Sequence, residues 1–339
     1  MPESWKLEQP DQVALGEGVR SLRLFAAAGR VNLIGTDGPA TLEVTRISGQ
    51  PLYVELSDTG ELVVRHGEHN KPQLFNWLFG GKRVDVELSL ALPPDTLLDV
   101  RVLSGPVVVS NFHERVAVKG VSGEVTLAGV HGAARVTTIS GAITAEQVTG
   151  DLTVKAVSGA ITVIAGAGGS IDLAAVSGAI AVDLEDPVPS TARLQCVSGA
   201  MTVRLPHDPD VRVDLGTANG RAVSSFPEVR ASGSRGSQKL SGTIGAGTAT
   251  LVGKTVSGSV TLLRRSADEE PWDLVIDDQT PQDETPQSAT PQDQIPDGTS
   301  ATPESATPDS TTTPDSANPG SATPHSTTPD NGENSEDAR

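Results

Sequence analysis

The sequence is short of nearly everything from which catalytic and metal sites are built. A single cysteine, Cys196, stands in 339 residues, which excludes an intramolecular disulfide framework and a cysteine-built zinc cage. Its place directly before Val197-Ser198-Gly199 points to a strand and a buried, inert thiol rather than a nucleophile. Aromatic residues are scarce, with five Phe, three Trp and one Tyr in the whole chain, so any interior must be narrow. No apolar run approaches a membrane span, and residues 1–20 hold no apolar stretch of signal-peptide length. The expectation is a cytoplasmic protein; the alternative is a cell-surface protein exported by an unconventional route.

Positive charge is also in short supply, with 25 Lys and Arg against 43 Asp and Glu. The imbalance is uneven. Residues 266–339 contain 17 acids and one base, while the remainder, with 26 acids and 24 bases, is almost neutral. No basic stripe is visible along the chain, which argues against nucleic-acid binding. The acidic stretch is a low-complexity run of Thr-Pro steps, such as Thr302-Pro303, Thr307-Pro308 and Thr313-Pro314. Proline at that density blocks helix and sheet, and so few aliphatics cannot offset the ordering entropy. A disordered tail is predicted for 266–339.

What the chain has in abundance is a beat. An apolar residue followed by Ser-Gly, Thr-Gly or His-Gly recurs every nine residues: Val121-Ser122-Gly123, Val130-His131-Gly132, Ile139-Ser140-Gly141, Val148-Thr149-Gly150, Val157-Ser158-Gly159. Alternate beats are Val/Ile-Ser-Gly, so the full repeat is eighteen residues in two similar halves. Within each half the apolar positions step by four, two and three, as in Val121, Val125, Leu127, Val130. The step of two is strand alternation with both side chains on the core face, and the step of four crosses a tight glycine corner. The register extends back to Leu103-Ser104-Gly105 and forward through Val176-Ser177-Gly178 to Val197-Ser198-Gly199, with Thr255-Val256-Ser257-Gly258 closing a looser stretch.

A nine-residue hairpin cannot bury its apolar face alone, so coils must stack. The predicted fold is all-β: a β-solenoid or two-sheet β-roll of eighteen-residue coils, two short strands per coil, rising about 4.8 Å per coil. Small residues such as Ala145, Ala174 and Ala181 are assigned to its thin interior. Residues 1–94 read as a β-rich cap continuous with the repeat, 95–265 as the solenoid, and 266–339 as the tail.

Several constellations invite chemistry. His113 and His131, eighteen residues apart, fall on equivalent corners and would stack, and His66-Gly67-Glu68-His69 offers a second pair. Neither brings a third ligand, so solvated corners and a polar loop are the better readings. Calcium rolls share the nine-residue period but carry Asp in every turn, whereas Asp151 and Asp172 are isolated here. The serines of the Ser-Gly corners would form a ladder, read as satisfying corner backbone groups. No catalytic residue, metal ligand or cofactor site is assigned. The one segment that resists a purely structural reading is Leu74, Phe75, Trp77, Leu78 and Phe79, flanked by Lys82 and Arg83. Aromatics beside bases suit a protein contact or a membrane interface; the bland alternative is a plug closing the end of the core.

The strands spaced by Val-Ser-Gly, such as Ala175-Val176-Ser177-Gly178-Ala179-Ile180-Ala181-Val182 and Thr255-Val256-Ser257-Gly258-Ser259-Val260-Thr261-Leu262, resemble a bacterial β-strand-repeat family of candidate adhesins, of the domain of unknown function 4097 type. The resemblance covers roughly 22–263 and implies a non-enzymatic β-repeat scaffold with no catalytic residues to carry over. The functional expectation is therefore a scaffold acting through a protein partner, with Leu74 to Phe79 as its hot spot. An adhesin with a Thr/Pro stalk and a self-assembling solenoid are the alternatives.

Overall fold

The computed structural model describes residues 2–16, 18–67, 84–234 and 236–266. Among them are 25 strands and no helix. The strands form two sheets, here sheet I and sheet II, which face one another across a single core. From residue 97 each coil lays one strand in each sheet. The coil 116–130 pairs in parallel with 134–146, with Val116 opposite Ala134 in sheet I and Val125 opposite Ile143 in sheet II. The eighteen-residue repeat is thus one turn of a β-solenoid. Inward columns such as Val100, Val118, Val136, Val154, Leu173 and Leu194 are almost fully buried, each worth about 1.5–3 kcal/mol relative to exposure.

The Ser-Gly corners stack on each other. The Gly105, Gly123, Gly141 and Gly159 amides donate to the carbonyls of Ser122, Ser140, Ser158 and Ser177 one coil on, at 2.9–3.1 Å. Glycine is required at these corners on two counts. At Gly141 the backbone has φ of 128°, and a Cβ there would lie 1.9 Å from the carbonyl oxygen of Gly123.

The order of coils in space departs from their order in sequence at both ends. The final coil, 249–264, inserts between 191–205 and 211–224: Ala249–Ser257 pairs in parallel with Thr191–Ser198 on one side and Val211–Asn219 on the other. The looser strands that precede it in sequence lie outside it, ending in the antiparallel pair Gln238–Ile244 and Arg230–Gly233. At the other end, Ser21–Gly35 is a single fifteen-residue strand that serves both sheets, with Ala28 opposite Ser104 at the stacked corner. It is held between 97–112 and the strands Glu61–His66 and Asp85–Leu92. Antiparallel strands then finish each sheet, Leu52–Leu56 with Glu3–Leu7 in sheet I and Ala40–Ser48 with Asp11–Gly16 in sheet II. Antiparallel strands therefore finish both sheets at the N-terminal end and sheet I at the C-terminal end, where sheet II stops on the three-residue parallel strand Ala222–Ser224. Antiparallel and very short edge strands both hinder edge-to-edge pairing.

The C-terminal coil is also stapled. Arg265 reaches past the neighbouring strand Met201–Leu205 to Asp183 and Glu185, at 2.7 and 2.9 Å, while Arg204 holds the other oxygen of Asp183 at 2.6 Å.

Two details correct the sequence reading of the core. Ala145 is interior, but Ala174 and Ala181 lie on the outer faces of the sheets; Ala156 and Ala175 fill the thin interior instead. The apolar residue of each Val/Ile-Ser-Gly triplet, assigned to the core with the rest, is not buried at all.

Candidate functional site

The step of three has opposite outcomes in the two halves of the repeat. In one half it is preceded by a residue in the left-handed region: Asn111, Gly129, Gln147 and Ala165, with φ of 61°, 61°, 52° and 53°. That kink re-aims the next side chain, and Phe112, Val130 and Val148 turn into the core. In the other half the preceding residues, such as Thr138, Ala156 and Cys196, keep ordinary strand geometry and point inward. Strand alternation then sends the next residue out. Val121, Ile139, Val157, Val176, Val197 and Val256 consequently stand 46–55% exposed. Each occupies the same position of its coil, so they form a ridge along the solenoid axis with about 4.8 Å between steps.

A column of bases runs beside the ridge on the outer face of sheet I. The strand registers align Arg101, Lys119, Thr137, Lys155, Ala174, Gln195 and Lys254. Arg101 is engaged by Asp99 at 2.9 Å, whereas Lys119, Lys155 and Lys254 are exposed and hold no ion pair among the described residues. The near-neutral composition gave no sign of a basic stripe because its members lie eighteen or more residues apart; stacking assembles a short one.

The ridge residues Val157, Val176, Val197 and Val256 and the column from Thr137 to Lys254 line a groove of about 980 Å³. It crosses seven strands of sheet I, from Thr137 and Thr138 to Ser237, Gln238 and Lys239 of the C-terminal cap. Lys239 is itself paired with Asp214 at 3.0 Å. The groove wall and floor also include Cys196, which is 5% exposed. Its Sγ donates to the carbonyl of Gly178 at 3.4 Å, as Thr255 Oγ1 donates to that of Gly199 at 3.3 Å. Burial pushes the thiol pKa up, which disfavours the reactive thiolate.

The corner serines are exposed, and their hydroxyls make no hydrogen bond within the described residues. The corner backbone is satisfied by the serine carbonyls and glycine amides, not by the side chains as the sequence reading supposed. The free hydroxyls therefore border the ridge.

The remaining sequence candidates take structural places. His113 and His131 do stack, with ring centroids 5.3 Å apart and tilted by 55°. His113 Nδ1 donates to Asp95 at 3.2 Å, and His131 Nδ1 is hydrogen-bonded to Thr149 Oγ1 at 2.9 Å. These four residues are one corner column at eighteen-residue spacing. Asp151 accepts from the amide and hydroxyl of Ser170 at 2.7 and 2.9 Å, across a coil that is one residue longer than the eighteen-residue repeat. His66 is fully buried, with Nε2 donating to the Gln50 carbonyl at 3.0 Å, and burial depresses its pKa. Among the described residues no three His, Cys, Asp or Glu side chains gather where they could hold a metal ion. Leu74, Phe75, Trp77, Leu78, Phe79, Lys82 and Arg83, together with Glu68 and His69, lie outside the described residues. The strands on either side of them, Glu61–His66 and Asp85–Leu92, both pair with Ser21–Gly35 at the N-terminal end of the solenoid.

Comparison with known proteins adds family and likeness. No curated protein matches the chain. Among solved structures it is similar to a candidate cell adhesion protein of Clostridium sporogenes, at 11% identity over 78% of this chain and 100% of that one with a TM-score of 0.25. A candidate adhesin of Bacteroides fragilis matches at 12% identity over 78% and 96%, with a TM-score of 0.40. A candidate lipid-binding protein of Parabacteroides distasonis matches at 12% over 77% and 96%, with a TM-score of 0.24. The profile of the family described as Toastrack DUF4097 matches residues 35–263, some two thirds of the sequence and nearly all of the solenoid. The chain belongs to the Toastrack DUF4097 family.

Proposed function

We propose that this protein is a non-enzymatic β-solenoid scaffold that works by binding other proteins, with the outer face of sheet I as its main contact surface. The observation that carries this reading is the ridge. The apolar positions at the other steps of the repeat are buried, yet six β-branched residues in register stand half exposed beside lysines that hold no ion pair among the described residues. A contiguous exposed apolar patch rimmed by polar groups is the usual mark of a contact site. The segment Leu74 to Phe79 with Lys82 and Arg83 is the second contact element, proposed on composition alone: aromatics flanked by bases. A cytoplasmic location goes with this reading.

The antiparallel strands that finish both sheets at one end and sheet I at the other, with only a three-residue edge strand in sheet II there, favour a scaffold with finished ends over one that grows by end-to-end stacking. The test is affinity purification of the full chain from its host against two variants. One replaces Val157, Val176 and Val197 by Thr, which keeps shape and strand propensity; the other deletes residues 73–80. Partners lost with the ridge variant support the proposal. Retention of every partner by both variants rules it out.

A further inference from the structure

We propose that the groove on sheet I is a docking site for an extended acidic peptide with alternating apolar residues, an inference that rests on reading this face as a protein-contact surface. The dimensions set the first constraint. The groove crosses seven strands of sheet I, from Thr137 to Gln238, so it is about 29 Å long at about 4.8 Å per strand. That is the length of about nine residues of extended chain at about 3.3 Å each. It lies across the strands, so the occupant runs along the solenoid axis and rests on side chains rather than adding to the sheet.

Charge sets the second. The aliphatic ridge forms one side of the trough and the lysine column runs parallel to it. Among the described residues the groove holds two lysines without an ion pair, Lys155 and Lys254, three coils apart; Lys239 is taken up by Asp214, and Lys119 continues the column one coil beyond the end of the groove. Positive charge is therefore set at two points about 14 Å apart, at about 4.8 Å per coil. A fatty acid carries one carboxylate at one end and cannot answer two cations at that separation. A peptide lying flat, whose side chains point alternately left and right, places apolar residues on the ridge and carboxylates along the lysines. The free corner hydroxyls of Ser158, Ser177 and Ser198 add donors beyond the ridge. An anionic membrane would also meet bases and aliphatics, but it needs a protruding surface. Here the ridge residues are short and lie along a trough that runs on to Gln238 and Lys239 of the cap.

The experiment uses the full chain and a fluorescein-labelled nonapeptide of alternating Asp/Glu and Val, read by anisotropy. Binding with Kd of about 1–100 µM is expected. Replacing both Lys155 and Lys254 by Glu should weaken it at least about tenfold. The Val157→Thr, Val176→Thr, Val197→Thr variant, with an unchanged circular dichroism spectrum, should weaken it comparably. Rising salt should weaken wild-type binding and leave the double-Glu variant little affected. A peptide with Lys at every acidic position should not bind. Absence of binding, equal binding of the Lys peptide, or indifference to both sets of substitutions overturns the proposal. So does a preference for phosphatidylserine vesicles or single-stranded DNA that depends on the same lysines, which would assign the face to those ligands. If the ridge variant loses cellular partners while the nonapeptide fails to bind, the contact-face reading stands and the acidic-peptide assignment falls.

Discussion

Arg265 Nη2 lies 2.7 Å from Asp183 Oδ1, although 82 residues separate the two and a further strand lies between them. Both side chains are nearly buried, at 12% and 14% exposure, and the same guanidinium engages Glu185. This contact fastens the last coil onto the body of the stack. Arg265→Ala removes charged hydrogen bonds to both carboxylates but leaves Asp183 with Arg204 and Glu185 partly exposed, so it should lower the unfolding free energy by about 1.5–3 kcal/mol. Arg265→Lys, which cannot bridge two carboxylates in the same plane, should recover only part of the loss. Urea unfolding of the two variants checks both statements.

The glycine corners make a sharp contrast available. Gly141→Ala puts a Cβ 1.9 Å from the Gly123 carbonyl oxygen and should cost about 4 kcal/mol or more, or prevent folding. Gly129→Ala shares the positive φ but meets nothing closer than 3.8 Å, so only the left-handed backbone penalty of about 1 kcal/mol applies. Gln147→Gly, at φ of 52°, should be neutral or stabilising for the same reason. Denaturation midpoints rank the three variants directly, and equal losses at Gly129 and Gly141 would contradict the stacked-corner geometry.

Cys196 should behave as a threonine analogue. Its thiol sits in the column that also holds Thr138, Thr255 and Thr217, and burial holds its pKa above the usual thiol value. The native protein is therefore expected to react with a thiol-specific disulfide reagent only at the rate of unfolding, and the denatured protein at once. Cys196→Thr should change stability by less than about 1 kcal/mol.

The pH response follows from His66. Burial depresses its folded pKa, and this outweighs the Gln50 carbonyl and the Asp85 carboxylate, which act in the other direction. Above the unfolded value of about 6.5 both states are neutral and the residue contributes no pH dependence. As pH falls below that value the unfolded chain takes up the proton first, so stability declines, by at most about 1.4 kcal/mol per pH unit. Denaturation midpoints measured from pH 8 to 5 should show the decline, and His66→Gln should flatten it.

The sequence makes some of this legible and hides the rest for identifiable reasons. The period and the step of two led directly to stacked two-strand coils, because strand alternation and glycine corners act within nine residues. The ridge was missed because Val121 and Val130 look alike in sequence. The difference lies one residue earlier, where Gly129 adopts a positive φ and Gly120 does not. Ala165 shows that composition alone would not have settled which beats turn inward. The insertion of coil 249–264 was equally hidden. Every Ser-Gly corner fits every other, so the period identifies a coil without naming its neighbours. The lysine column depends on that same spatial order, since Lys254 joins it only because its coil docks beside Gln195.

The central claim is that the ridge side of sheet I is where partners sit. Its most direct test is site-specific photo-crosslinking in the host, with a photoreactive phenylalanine at Val176 and, as the control, at Thr202 on the outer face of sheet II. The account predicts a discrete crosslinked partner from Val176, lost when Lys155 and Lys254 are replaced by Glu, and none from Thr202. Crosslinks of equal yield from the two positions, or none from Val176, would contradict it.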